Sequence, residues 1–168
     1  VYFNVLSPDI KLIYLQKSRT ILSIISLSRY LKKYQPIVLC SSLFYANVCA
    51  TIAWLLSFCC CKLVLREDNI LITYGKIFSK EWMKSKLLFF LMRKLYKYSD
   101  CIVAISNAVK QSLIQNKICS SEKIKVIYNP IETNIHNQLN TVDYSATRIK
   151  NTSYICAVGR LHYQKGFD

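Results

Sequence analysis

Three places in the sequence gather residues able to act on a charged or hydroxylated ligand. The triplet Glu67-Asp68-Asn69 follows an apolar run and offers two carboxylates and an amide. Ser106 and Asn129 each close an apolar run further on. Gly159-Arg160 is followed, five residues after the arginine, by Lys165-Gly166. Glycine lets backbone approach a ligand closely, and Arg and Lys supply fixed positive charge for phosphate oxygens. Taken alone, that spacing also fits a plain surface turn, and an acid such as Asp68 also fits a solvated surface. His136, in a polar stretch, and His162, between the two cations, read as bystanders. No DxD or histidine cluster with metal-ligand spacing occurs, so we expect no divalent metal and no resident cofactor.

These residues can form a site only if regular elements carry them to one edge. Cys101–Ile105 is apolar, uncharged and rich in β-branched residues, as in a strand buried on both faces. Ser106 can cap the helix that follows, Asn107–Asn116, with Ala108, Val109, Ser112 and Leu113 on its apolar face. A polar turn then leads to a strand over Ile124–Tyr128, stopped by Asn129-Pro130. Strand, helix and strand within about thirty residues form a right-handed βαβ unit, with ligand positions at the carboxyl ends of the strands. Upstream the same rhythm predicts a strand over Ile10–Leu15 and a helix over Ser18–Lys33 with Ile21, Leu22, Ile25, Leu27 and Leu31 as its apolar positions. A strand over Ile37–Cys40, a helix over Leu43–Phe58 and a strand over Lys62–Arg66 follow. The alternation argues for an α/β fold, a Rossmann-like parallel sheet with helices on both faces.

Two stretches admit a membrane reading. Tyr34 to Cys61 runs 28 residues without a formal charge, long enough to span a bilayer. Pro36, Ser41-Ser42 and Asn47 interrupt it, and the small residues Ala46, Ala50, Ala53 and Ser57 would let a helix lie close on a sheet. The flanking βαβ pattern favours strand and helix over a span at 43–61. Between Lys76 and Lys97 stand seven basic residues and one acid, Glu81. On a helix over Met83–Tyr98, Leu87, Leu88, Leu91 and Leu95 share one face, and Lys86, Arg93, Lys94 and Lys97 gather on another with Phe90. That face is either ordinary solvated surface or a seat for anionic lipid headgroups, with Phe90 dipping in.

The chain has 168 residues, is 52 % hydrophobic and only 19 % charged, and carries a net charge of +14. Such a balance suits a polyanionic partner. No motif for reading DNA or RNA accompanies the charge, so nucleic acid is not the expected partner. The eight cysteines, Cys40, Cys49, Cys59, Cys60, Cys61, Cys101, Cys119 and Cys156, lie mostly in apolar runs and read as reduced, small hydrophobes. The first residue is Val1, and the chain stops inside what reads as a loop after a strand, so we read it as a piece of a longer protein. Residues 132–153 are polar and without apolar periodicity, as in a linker.

DCIVAISNAVKQSL, KIKVIYNPIE and ICAVGRLHYQKGFD, in that order, resemble the retaining GT-B glycosyltransferases. So do RYLKKYQPIVLCSSLFYANVCATIAWLLS and LVLREDN earlier in the chain. The resemblance implies most of the N-terminal half of a two-domain GT-B fold. Residues 1–131 would be most of the acceptor-side domain, 132–153 the linker, and 154–168 the first strand and loop of a nucleotide-sugar-binding domain. It further implies that Arg160 and Lys165, with Gly159 and Gly166, hold the donor's diphosphate. Asp68 stands where related enzymes often carry a catalytic His, and Glu67, Asn69, Ser106 and Asn129 would line the cleft. The expected partners are a nucleotide sugar, a glycan or lipid-linked acceptor of bacterial surface polysaccharide such as lipopolysaccharide, and an anionic membrane surface. The expected place is cytoplasmic, peripheral at the inner face of the plasma membrane. Two competing readings are a membrane-anchored protein without catalysis and a basic Rossmann-like binding module.

Overall fold

The computed structural model describes residues 9–71 and 82–130. The chain divides into two units, Val1–Asn129 and Pro130–Asp168, and the fold set out here is that of the first. Four strands, β1 (Val38–Ser42), β2 (Lys62–Glu67), β3 (Cys101–Ala104) and β4 (Ile124–Val126), pair in that order and all in parallel. Helix α1 (Ile24–Tyr34) precedes them, and α2 (Phe44–Ser57), α3 (Trp82–Leu95) and α4 (Asn107–Gln115) fall between successive strands in the chain. This is the expected α/β, Rossmann-like parallel sheet. Consecutive strands joined by right-handed crossovers put α2, α3 and α4 on one face rather than on both, among the described residues.

Strand register assigns the side chains to two faces, because successive residues point opposite ways. Leu39, Leu63, Leu65, Ile102, Ala104 and Ile124 share one face with Glu67. The main core forms there, against Phe44 and Val48 of α2, Met92 of α3, Tyr96 just beyond it, and Val109 and Leu113 of α4. The opposite face, with Val38, Cys40, Lys62 and Lys125 exposed, is the more open one. A smaller cluster of Leu31, Ala53, Cys59 and Cys61 ties α1 to α2.

The charge-free run divides into β1, α2 and their turns. Helix α2 has 14 residues, about 21 Å of helix against a hydrocarbon core of about 30 Å. Among the described residues no helix is long and apolar enough to cross a membrane, so the span considered at 43–61 is not formed. Helix α2 is apolar because it is covered on several sides. Ala50, Ala53 and Ser57 are buried, and their small side chains allow the close approach expected of that stripe. Cys49, Cys59 and Cys61 are buried as well, and burial pushes the Cys61 and Cys119 thiols up to about 11. Such thiols stay protonated and unreactive at neutral pH.

Two expectations change. Ile10–Leu15 forms no strand, and Ile10, Leu12, Ile13 and Tyr14 are exposed. An extended segment without a ladder partner or a buried face has nothing to offset the entropy of ordering it. Helix α1 begins at Ile24 after a 3-10 turn at Thr20–Ser23. Its inward stripe is Ile24, Leu27 and Leu31, whereas Ile21, Leu22 and Ile25 are exposed. The helix ends on Gln35 in the left-handed region, φ 42°, its N–H bonding to the Leu31 carbonyl, and Pro36 prevents continuation.

At the opposite edge from the strand carboxyl ends, Asp100 joins β2 to the start of β3. Its carboxylate accepts the Leu63 N–H at 2.8 Å and pairs with Lys62 Nζ at 3.0 Å. The backbone bond first, and Lys62 second, hold this carboxyl below the usual aspartate range. A depressed folded-state value gives stability that is complete above the unfolded value, about 3.9, and is lost as pH falls through the folded one. Asp100→Asn is therefore expected to lower the urea midpoint at pH 7. The gap from wild type should close as pH drops below about 3.9; a pH-independent gap would exclude the linkage.

The turn from β1 to α2 passes through Leu43 at φ 76° and ψ 134°. Positive φ is costly for a residue with a Cβ, of order 1–3 kcal/mol in sparsely populated regions. The Leu43 side chain is 51 % exposed, so its packing offsets little of that strain. Leu43→Gly is expected to raise stability by about 1 kcal/mol, read from urea unfolding; a loss of stability would show that the leucine side chain matters more than the strain.

Candidate active site at the carboxyl edge of the sheet

Parallel sheets bring the ends of their strands to one edge, where ligands bind. Here Ser42 ends β1, Arg66 and Glu67 end β2, Ser106 follows β3 and Asn129 follows β4. Because Arg66 and Glu67 are adjacent, they face opposite ways. The edge therefore carries two polar systems, one on each side of the sheet.

On the open side, Arg66 is the hub. Its Nη2 lies 2.9 Å from Asp68 Oδ1 and donates to Asn129 Oδ1 at 2.8 Å. Its Nη1 reaches Ser42 Oγ at 3.4 Å, and Ser42 Oγ donates to Asp68 Oδ2 at 2.8 Å. The Arg66–Asp68 contact is an ion pair rather than an aligned hydrogen bond, which leaves the buried Asp68 Oδ1 without a hydrogen-bond donor. Two of the predicted residues, Asp68 and Asn129, are thus brought together through two that sequence reasoning did not single out, Ser42 and Arg66. The arginine side chain is 42 % exposed and the aspartate 21 %, so both remain accessible from solvent. A carboxylate and a guanidinium side by side can accept a hydroxyl proton and hold an anion, respectively.

On the helical side, Glu67 does not line an open cleft. It is 1 % exposed and its Oε1 accepts from Asn47 Nδ2 at 2.8 Å and from the Tyr96 hydroxyl in a short bond. Asn47 Nδ2 also donates to the Arg66 carbonyl at 2.9 Å. Burial raises the Glu67 carboxyl, and the two donors, Tyr96 and then Asn47, oppose that shift. The Tyr96 hydroxyl is itself pushed well up, by burial first and by the Glu67 charge next. This is a structural clamp that fixes the end of β2, and so the residues presented on the other side.

The neighbouring backbone is held from several directions. Ile105 N–H donates to the Glu67 carbonyl at 3.3 Å, and Leu43 N–H donates to the Arg66 carbonyl at 3.3 Å. Leu71 N–H donates to Ser112 Oγ of α4 at 2.9 Å, which pins the segment containing Asp68 and the half-buried Asn69. Ser106 is the N-cap of α4, accepting the Val109 N–H at 3.2 Å. That confirms its capping geometry and leaves it beside the edge. Asn107 Nδ2 meets the Tyr128 hydroxyl at 3.2 Å, linking α4 to the segment that carries Asn129. Gly159, Arg160, Lys165 and Gly166 lie outside the described residues, as do His136 and His162.

Of the basic group on α3, Lys86, Phe90, Arg93 and Lys94 are exposed, and so is Lys97 just beyond it. Arg93 Nε donates to the Asn116 carbonyl at 3.0 Å, and Lys94 Nζ lies 5.7 Å from the centre of the Phe90 ring. The inward face comprises Leu88, Leu91, Met92 and Leu95, whereas Leu87 is 60 % exposed.

The clamp can be tested by stability. Glu67→Leu would leave one Asn47 N–H and the Tyr96 hydroxyl without an acceptor inside the core, at roughly 1–3 kcal/mol for each unsatisfied group. Glu67→Gln keeps an acceptor and removes the charge, so its cost should be smaller. An acid whose folded-state value is raised loses stability as pH rises from its unfolded to its folded value. Wild type should show that decline above about pH 4.3 and Glu67→Gln should not; parallel pH profiles in denaturant titrations would contradict the assignment.

With the site in view, comparison with known proteins places the chain. It is 28 % identical over 139 residues to an uncharacterized glycosyltransferase of Methanocaldococcus jannaschii, a match covering 79 % of this chain and 34 % of that protein. The chain therefore spans about a third of that relative's length. Residues 5–135 match the model of Glycosyltransferase Family 4, and the chain belongs to this family.

Proposed function

We propose that the protein transfers a sugar from a nucleotide-sugar donor to a glycan or lipid-linked acceptor, with retention of configuration, and that these residues are its acceptor side. The observation that carries this reading is the Ser42–Asp68–Arg66–Asn129 network at the carboxyl edge of a parallel sheet, in a chain of a glycosyltransferase family. Asp68 is the residue we assign to the acceptor hydroxyl, as hydrogen-bond acceptor and then proton acceptor. Arg66 holds it in place through their ion pair. When the glycosidic bond breaks, negative charge moves to the leaving nucleoside diphosphate, and fixed cations around it lower the barrier. We assign that part to Arg160 and Lys165, with Gly159 and Gly166 admitting the diphosphate to the backbone.

The acceptor reading as a surface polysaccharide on a lipid carrier is supported by the cations displayed around Phe90 on and just beyond α3. At about 1 kcal/mol per basic side chain, Lys86, Arg93, Lys94 and Lys97 would give reversible attachment to an anionic cytoplasmic membrane face.

The test is turnover in the full-length protein with nucleotide-sugar donors. A charge-assisted hydrogen bond is worth roughly 1.5–3 kcal/mol, and about 1.4 kcal/mol is a tenfold rate change. Arg160→Ala and Lys165→Ala should each lower turnover at least tenfold, with His162→Ala near wild type as the control. Asp68→Asn should lower transfer while leaving donor affinity close to wild type. Unchanged turnover in both cation variants, with melting temperatures intact, would refute the diphosphate role.

A further inference from the structure

We propose that a groove between α2, α3 and the turn before α1 holds the hydrocarbon chain of a lipid with a phosphate headgroup. The inference rests on the lipid-linked reading of the acceptor and names where the lipid goes. The groove measures about 530 Å³, within the roughly 300–1,000 Å³ of small-molecule sites. Ile21, Tyr45, Cys49, Leu87 and Leu91 line it, and Arg19 is the one charged residue among its described lining residues.

Ile21 is 65 % exposed, Leu87 60 % and Tyr45 48 %. Ile21 and Leu87 depart from the inward stripes expected of their segments, and with Tyr45 they converge on one concave surface. Folding leaves that apolar surface in water, a cost that a ligand chain would remove. An apolar trough with an arginine among its lining residues matches a hydrocarbon tail joined to an anionic head. The basic residues of α3 extend the same charge preference beyond the groove. A second copy of this chain is disfavoured as occupant, because both partners would carry a net charge of +14. Tyr45 and Cys49 lie in the first two turns of α2, which starts two residues after Ser42. The groove is therefore built from the same end of that helix as the Ser42–Asp68 cluster, on the helical side of the sheet rather than the open side that carries the cluster.

The experiment titrates full-length protein with dodecyl phosphate below its micelle concentration, by calorimetry. Dodecanol and inorganic phosphate serve as chain-only and head-only probes. We expect saturable one-to-one binding of dodecyl phosphate and none of inorganic phosphate at the same concentrations. Leu87→Asp and Ile21→Asp alter exposed positions that folding does not need, and each should weaken dodecyl phosphate at least tenfold. Arg19→Gln should weaken dodecyl phosphate at least threefold and leave dodecanol unchanged. Equal binding by wild type and both Asp variants would overturn the proposal. So would phosphate binding alone, or a dimer in sedimentation that Leu87→Asp abolishes. Nucleotide-sugar hydrolysis in lipid-free buffer reads the enzyme separately: hydrolysis without dodecyl phosphate binding refutes the groove alone, and absence of hydrolysis refutes the transferase reading.

Discussion

One buried carboxyl group sets much of this architecture. Glu67 sits in the core between the sheet and its helices, where an unsatisfied acid would be costly. It is accommodated because α2 supplies the Asn47 amide and the chain leaving α3 supplies the Tyr96 hydroxyl. Asn47 also bonds to the Arg66 carbonyl, so one side chain of α2 fixes both the backbone and the side chain at the end of β2. Helix, strand and following helix are thereby locked in register at a single point. Apolar packing alone would permit small slides of α2 along the sheet; directional hydrogen bonds do not.

That lock has a counterpart across the sheet. Residues alternate across a strand, so fixing Glu67 on the inner face fixes Arg66 on the outer one. Arg66 then spans the strand ends, reaching Ser42 from β1, Asp68 beyond its own strand and Asn129 beyond β4. The inner system is sealed from water, with Asn47 Oδ1 its one buried acceptor lacking a donor, whereas the outer one is open to solvent. Adjacent residues thus meet opposite surroundings, Glu67 closed in the core and Arg66 and Asp68 facing solvent.

Much of the layout was legible in the sequence because it depends on periodicity. The βαβ rhythm, the cap at Ser106 and the breaks at Pro36 and Pro130 are local signals, and the observed strands begin and end within a few residues of where those signals lie. The division of labour within Glu67-Asp68-Asn69 was not legible. It depends on which face of β2 the helices cover, and no property of the triplet itself encodes that. Ser42 and Arg66 could have been found by asking which polar residues share the carboxyl edge with Asp68. Asn47 carried a signal of its own, as a polar residue inside the most apolar helix. The error over Leu87 has a related cause. Its spacing fits the inward stripe, but Met92 takes the buried place one position round the helix, and only packing decides between such neighbours.

The turn after β1 has a wider meaning for how such chains are recognised. In many nucleotide-binding sheets the tight passage from strand to helix is marked by glycine, because glycine enters positive φ freely. Here that passage is made by Leu43, and the other described non-glycine residues at positive φ are Gln16, Gln35, Phe58 and Lys117. A scan for glycine fingerprints would pass over this segment, although its backbone takes a conformation that glycine enters most easily; the turn is held by its neighbours' hydrogen bonds, Leu43 N–H to the Arg66 carbonyl and Asn47 N–H to the Leu43 carbonyl, rather than by the identity of the residue that bends.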